Sequence, residues 1–155
     1  DAIALFEREN VLTEAEYEAR LDTSFEHYAQ DLLIECRAAR SIARRQIIPA
    51  ATEYSRRLAD TVQSLDAVGT DDAAPRAALE EVAARLQALV EATAEMETAT
   101  VEIEAIEDVE ERAAAARDRL KPALLAVREP ADALEMCVDA DLWPLPTYAE
   151  MVFKR

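Results

Sequence analysis

Apolar side chains recur every three or four residues over positions 21–68, and this spacing constrains the fold more than any other feature of the sequence. The step is close to the roughly 3.6-residue period of an α-helix. Gly69 is the only glycine in the 155 residues, so a glycine-rich phosphate loop is excluded and a turn-rich β fold is disfavoured. The sequence therefore predicts an all-α fold.

The first long helix is predicted over residues 13–69. Thr13 and Glu16 have the spacing of a capping box, which marks a helix start. Gly69 suits the left-handed residue that ends many helices. Pro49 interrupts the apolar pattern, and a proline inside a helix removes one hydrogen bond of the ladder, so we expect a kink at residues 46–48. Residues 1–12 are predicted to form a linker or a short helix.

A second helix is predicted over residues 71–104, where the apolar steps alternate strictly between three and four, as in a coiled-coil seam. The β-branched residues near its end predict fraying or a break between Met96 and Asp108. A third helical segment, over residues 106–142, contains Pro122 and Pro130, so it is expected to be bent or broken. Residues 143–155 are predicted to form an extended tail, since a residue that precedes proline avoids helical geometry.

The predicted lengths favour an elongated molecule. A straight helix over residues 13–68 would exceed about 75 Å, whereas a compact chain of this size has a radius of gyration of only about 15 Å. The sequence thus predicts an elongated antiparallel helical bundle or coiled-coil hairpin with an extended, proline-rich C-terminal tail, all in one domain.

The charge balance excludes several partners. The chain has 33 acidic and 17 basic side chains and a formal net charge of −16. Nucleic acid is excluded as the main ligand, and an anionic membrane surface is disfavoured, because both require basic contacts. No apolar run approaches the roughly 18 residues of a membrane span, and residues 1–10 lack the order of a signal peptide. Because the chain does not begin with Met, we expect it to be processed or part of a longer protein.

A basic stripe on the first helix is one candidate for a binding site. It contains Arg37, Arg40, Arg44 and Arg45, with Arg56 and Arg57 beyond the proline. It could form an anion clamp. It could instead pair with an acidic run that contains no base, formed by Glu91, Glu95, Glu97, Glu102, Glu104, Glu107, Asp108, Glu110 and Glu111. We favour pairing or a solvated face, because charge runs usually lie on the surface.

Other reactive side chains form no recognisable site. His27 and Asp31 lie one turn apart and could share a metal, but one histidine cannot supply the paired Glu-x-x-His units of a di-iron bundle, so we favour a partly exposed helix residue. Cys36 and Cys137 lie on or beside apolar stripes and are interpreted as small buried hydrophobic residues. His27 lies too far along the helix to activate Cys36. We therefore predict no catalytic, cofactor-binding or metal residues.

The string from Trp143 to Tyr148 is the most specific in the chain. An extended proline-rich segment could bind an aromatic groove of another protein. We favour packing against its own bundle or a parent protein, because Leu142 continues the preceding apolar stripe into Trp143.

Several strings, in this order and spacing, resemble the C-terminal region of type III glutamine synthetases, which are large bacterial and cyanobacterial enzymes. The resemblance covers nearly the whole chain, and its last part is the most specific, while the intervening helices match in character only. The strings are VLTEAE at 11–16, QIIPAA at 46–51, PADALE at 130–135, LWPLPTY at 142–148 and MVF at 151–153.

The resemblance implies a cytoplasmic parent enzyme that joins ammonia to glutamate with ATP and magnesium, through a γ-glutamyl phosphate. It places the metal and nucleotide sites upstream, so no such residue is transferred to this chain, which is expected to be catalytically inert and to hold no cofactor. The implied partners are the rest of the parent and neighbouring subunits in stacked hexameric rings, with a role in packing, stability or regulation. The alternatives are a free-standing helical interaction module and an anion-binding regulatory site at residues 37–45.

Overall fold

The computed structural model describes residues 2–146 and 151–152, and every regular element in them is helical. The order is α1 (Ala2–Arg8), α2 (Glu14–Ile42), a π-helical turn (Ala43–Ile47), α3 (Ile48–Ala67), α4 (Ala73–Glu104), α5 (Val109–Ala115), a second π-helical turn (Ala116–Leu120) and α6 (Lys121–Glu135). The all-α prediction is confirmed. Because the chain stays helical through both π turns, α2 continues directly into α3, and α5 continues directly into α6. We call these two continuous helices α2–α3 and α5–α6.

Both ends of the α2–α3 helix are set by local sequence. Thr13 forms the predicted capping box, in which its Oγ1 accepts from the N–H of Glu16 at 3.3 Å and its own N–H donates to Glu16 Oε2 at 2.9 Å. At the other end Gly69 has a φ of +70°. The N–H of Thr70 donates to the carbonyl of Leu65 at 3.0 Å, which together with the bond from Gly69 to Asp66 closes a Schellman motif.

The two π turns share a sequence pattern as well as a geometry. Residues 43–49 read ARRQIIP and residues 116–122 read ARDRLKP, and each begins with a buried alanine and ends with a proline. The N–H of Ile48 donates to Ala43, and that of Lys121 donates to Ala116, five residues back in both cases. A proline cannot donate and its ring crowds the preceding turn, so the helix accommodates it by widening one turn. This widening, rather than a break, is what Pro49 and Pro122 produce.

The molecule is a three-helix bundle and not a two-helix hairpin. Ion pairs join Arg37 to Glu104 and Arg44 to Glu97, so α4 runs antiparallel to the first helix. The α5–α6 helix then runs parallel to the first helix, because Arg112 lies 4.0 Å from Glu26 near its start and Asp139 lies 3.7 Å from Arg57 beyond its end. Consequently α4 packs against both other helices along its length.

The core follows the apolar stripes predicted for the second and third helices, and the bundle is elongated. Its fully buried members include Leu89, Met96, Ile103, Leu120 and Leu134. The solvent-accessible surface is 10456 Å², against about 7,800 Å² for a compact protein of this mass. At about 1.5 Å per residue, the helix from Glu14 to Ala67 is about 80 Å long. The excess surface therefore reflects the length of the bundle.

The C-terminal part departs from the prediction in two respects. The third helix ends at Glu135, and residues 136–142 form turns, although the apolar pattern predicted helix to residue 142. Pro130 lies within α6 without breaking it. The tail is not extended throughout, because Met151 and Val152 are helical, and Tyr148 lies outside the described residues.

The start of the tail packs against its own bundle, as favoured from the sequence. The N–H of Trp143 donates to the carbonyl of Asp139 at 3.0 Å, and this turn directs the chain back toward the helices. Leu142, Trp143 and Leu145 all pack against the buried core. The apolar stripe therefore continues into the tail even though the helix does not.

Candidate functional site

The basic stripe on α2 pairs with the acidic face of α4. Glu97 forms an ion pair with Arg40 at 3.1 Å and accepts a hydrogen bond from Arg44 at 2.6 Å, and Glu104 accepts one from Arg37. The pairing interpretation is confirmed for these three arginines, whose charges are satisfied across the interface between the two helices. The pairs are partly exposed, so each contributes little stability by itself, and their effect is to fix the register of α2 against α4.

Arg56 and Arg57 are also occupied. Both donate to Glu53 on the same helix, Arg56 at 2.7 Å and Arg57 at 3.1 Å, and Arg57 also approaches Asp139 as described above. Within the described residues, Arg45 is the one member of the basic stripe that takes part in no ion pair. The described residues at 37–57 therefore contain no cluster of unpaired arginines of the kind that an anion clamp needs.

The Glu53 cluster gives a pH prediction. Hydrogen bonds from Arg56 and Arg57 lower the pKa of Glu53 from 4.5 to about 2. Because the pKa is lower in the folded chain than in the unfolded chain, Glu53 contributes stability above pH 4.5 and loses that contribution as the pH falls toward 2. The difference in unfolding free energy between the unsubstituted chain and its Glu53→Gln variant should therefore shrink as the pH falls from 4.5 toward 2. Carbon-detected NMR titration of the carboxyl measures the pKa directly, and a midpoint near 4.5 would contradict the structure.

The two cysteines lie in different environments. Cys36 is 1% exposed and lines a cavity of about 70 Å³ between α2 and α4, where burial raises the pKa of its thiol. Cys137 is half-buried after α6, and its thiol donates to the carbonyl of Ala133 at 3.3 Å and accepts from Arg85. Both thiols are free. Their positions match the prediction of small buried residues for Cys36, but Cys137 is more accessible than expected.

The cysteines give a labelling prediction. In the native chain we expect iodoacetamide to modify Cys137 and to leave Cys36 unmodified, because Cys36 is buried and its thiol resists ionisation. Mass spectrometry of the intact chain should show one added group under native conditions and two in urea. Cys137→Ser should abolish native labelling, whereas Cys36→Ser should leave it unchanged. Two rapid native modifications would show that the α2–α4 interface opens.

Metal ligands are not gathered in the described part of the chain. His27 and Asp31 are both exposed on α2, and among the described residues no three or more metal-ligating side chains lie close enough together to hold an ion. In the same residues, no helix combines the length and apolar character that a bilayer span requires. The charged candidates predicted from the sequence, which are the basic stripe and the possible metal ligands, are therefore either held in ion pairs or not gathered into a site among the described residues.

One surface of the bundle is an open apolar groove. It lies between α2 with its π turn and α6, has a volume of about 350 Å³, and is lined by Ala39, Ile42, Ala43, Leu124 and Leu125, among others. Leu125 is 62% exposed and Ile42 is 36% exposed. Glu35 on α2 and Arg128 on α6 lie at its rim.

The apolar stripes predicted from the sequence did not indicate this groove. Ile42 and Leu125 each lie outside the predicted apolar stripe of their helix. The available signal was the doublet Leu124-Leu125, together with Ile42 beside the buried Ala43. Such doublets widen the apolar face of a helix beyond what one neighbour covers.

Comparisons with known proteins place this bundle in context. A family profile described as the glutamine synthetase C-terminal domain matches residues 1–66. A glutamine synthetase of Bacteroides fragilis (strain YCH46) is 28% identical over 153 residues, which cover 95% of this chain and 21% of that protein. A type-3 glutamine synthetase of Dictyostelium discoideum is 24% identical over 159 residues, covering 99% of this chain and 22% of that protein. The chain therefore spans about a fifth of the length of the curated relatives it matches.

Proposed function

We propose that this chain, a C-terminal domain of the glutamine synthetase family, is a non-catalytic scaffold through which the subunits of its parent enzyme pack together. The observation that carries the proposal is the apolar groove between α2 and α6, since it leaves Ile42 and Leu125 exposed directly beside the buried core. Exposed apolar surface of this kind is typical of protein contacts.

The proposed parent joins ammonia to glutamate with ATP and magnesium, by resemblance to the family. The described residues of this chain do not fit either group. Magnesium prefers several oxygen ligands in one place, and no such group is found among the described residues. The triphosphate would need free basic groups, whereas Arg37, Arg40 and Arg44 are paired with glutamates. No catalytic step is therefore assigned to this domain, and the chemistry is proposed to reside elsewhere in the parent.

The proposed partners are the remainder of the parent and its neighbouring subunits. A cytoplasmic parent built of stacked hexameric rings belongs to the same proposal and rests on the family resemblance. The fixed register of α2 against α4 supports a scaffold role, because a rigid bundle can hold a contact surface in one orientation.

The proposal is tested in the parent enzyme. We expect Ile42→Glu to shift the assembly toward smaller species in size-exclusion chromatography with light scattering, because a buried charge is costly at an interface. Val90→Glu, an exposed change on α4, is the matched control and should leave the assembly intact. The isolated domain should show no γ-glutamyl transfer. Measurable turnover by the domain alone, or an assembly insensitive to Ile42→Glu, would contradict the proposal.

A further inference from the structure

We propose that the groove between α2 and α6 is occupied by the same groove of a second copy of this chain, related by a two-fold axis parallel to the helices. This inference rests on the proposed scaffold function and names the partner of its contact surface. In the resulting dimer, α2 of each copy lies against α6 of the other.

The shape of the groove is self-complementary, as a two-fold interface requires. Leu125 projects from the α6 side and is 62% exposed. The lining beside it includes the small residues Ala39, Ala43 and Ala131. One patch thus contains both a projecting side chain and a space lined by alanines, so two copies can each insert Leu125 into the groove of the other.

The charges along the groove are also complementary. The α2 side carries Asp31 and Glu35, one turn apart, and the α6 side carries Lys121 and Arg128, each within a turn of Leu125. Neither Glu35 nor Lys121 forms an ion pair within the described part of the chain. Arg128 binds Asp132 on its own helix at 3.1 Å. Glu35 on one side and Lys121 on the other are thus, among the described residues, an unpaired acid and an unpaired base, and they can pair between two copies in which α2 of one faces α6 of the other.

The oppositely charged groups on the two sides of the groove lie at the same level along the helix axes. The two helices run parallel, with Glu26 level with Arg112 and Arg57 level with Asp139. Interpolation between these pairs puts Lys121 about level with Glu35 and Leu125 about level with Ile42. A two-fold axis parallel to the helices preserves height, so Glu35 would face Lys121 of the second copy. By the same operation Ile42 would face Leu125 of the second copy.

A second copy fits better than an arbitrary acidic or basic partner. With a net charge of −16 the chain repels its copies over most of its surface. The groove is an exception, because its rim carries both signs. A contact of this extent belongs to the small interface class, so we expect weak association of the free chain. Such a contact becomes effective when neighbouring copies are held at high local concentration.

The first test is a dilution series of the 155-residue chain in sedimentation equilibrium, from about 5 to about 500 µM, the range in which weak interfaces dissociate. We expect a monomer–dimer equilibrium. Leu125→Glu should raise the dissociation constant at least about tenfold, since it places a charge in the groove. Val90→Glu, which adds the same charge to α4, is the control and should have no such effect. Circular dichroism of each variant checks that the bundle remains folded.

The second test is a charge exchange. Glu35→Lys and Lys121→Glu should each raise the dissociation constant about tenfold, because each creates two like-charge contacts per dimer. The double variant restores opposite charges and should return to within about twofold of the original value. A chain that stays monomeric throughout the series, a double variant as weak as the single ones, or a Val90→Glu variant as weak as Leu125→Glu would overturn the proposal. If the chain is monomeric while Ile42→Glu still disrupts the parent assembly, this inference fails and the scaffold function stands.

Discussion

Leu89→Ala is expected to lower the free energy of unfolding by about 3 to 4 kcal/mol. Leu89 is 0% exposed and belongs to the buried core. It lies in α4, the helix that packs on both others. Truncation there removes apolar contacts and leaves a cavity, and neither neighbouring helix can move in to fill it without disturbing the other contact. Urea denaturation followed by circular dichroism measures the change.

The adjacent residue provides the control for this prediction. Val90 is 41% exposed, on the outer face of the same helix. Val90→Ala opens no cavity, and alanine has the higher helix propensity, so we expect a loss below about 1 kcal/mol. Equal effects at the two positions would mean that α4 is not held between the other helices as described.

Trp143→Ala is expected to cost about 3 kcal/mol or more. The indole packs against the core, and its Nε1 is buried without a hydrogen-bond partner in the described residues. Removing the ring deletes a large apolar contact and frees the turn that begins at Asp139. Thermal denaturation by circular dichroism measures the effect. A loss below about 0.5 kcal/mol would show that the tail is not docked on this bundle.

Two further variants separate the ring from its N–H. Trp143→Phe keeps most of the apolar area and removes a buried donor that is costly when unpaired, so we expect it to be much milder than Trp143→Ala. Pro144→Ala changes an exposed neighbour and should be close to neutral. Because Trp143 is the only tryptophan, its fluorescence in the unsubstituted chain reports directly on tail docking. Its emission should shift to longer wavelength in urea as water reaches the indole.

Local sequence predicted the helices well, since their signals are local. Thr13 with Glu16 and Gly69 with its preceding turn each satisfy backbone groups within a few residues, so the ends of the α2–α3 helix could be read directly. The proline positions were also informative. The sequence predicted a kink before Pro49, and the structure has a widened turn there.

The misassigned parts depend on packing between distant residues. The apolar pattern continues from Leu134 to Leu142, but the chain leaves the helix after Glu135 and covers the core with turns instead. Periodicity records which residues are apolar and not which backbone conformation buries them. The arginine stripe was correctly assigned to pairing. Its particular partners, Glu97 and Glu104, required the register of α2 against α4.

By itself the sequence determined that this chain is helical, where the first two long helices begin and end, and that its basic and acidic faces pair. These properties follow from side-chain period, capping and charge, all of which act over one or two turns. Only the tertiary structure decided that the third helix packs beside the first in the same direction and leaves Ile42 and Leu125 uncovered at a groove. The relative placement of three helices fixes which apolar positions find a neighbour, and no short-range signal contains that information.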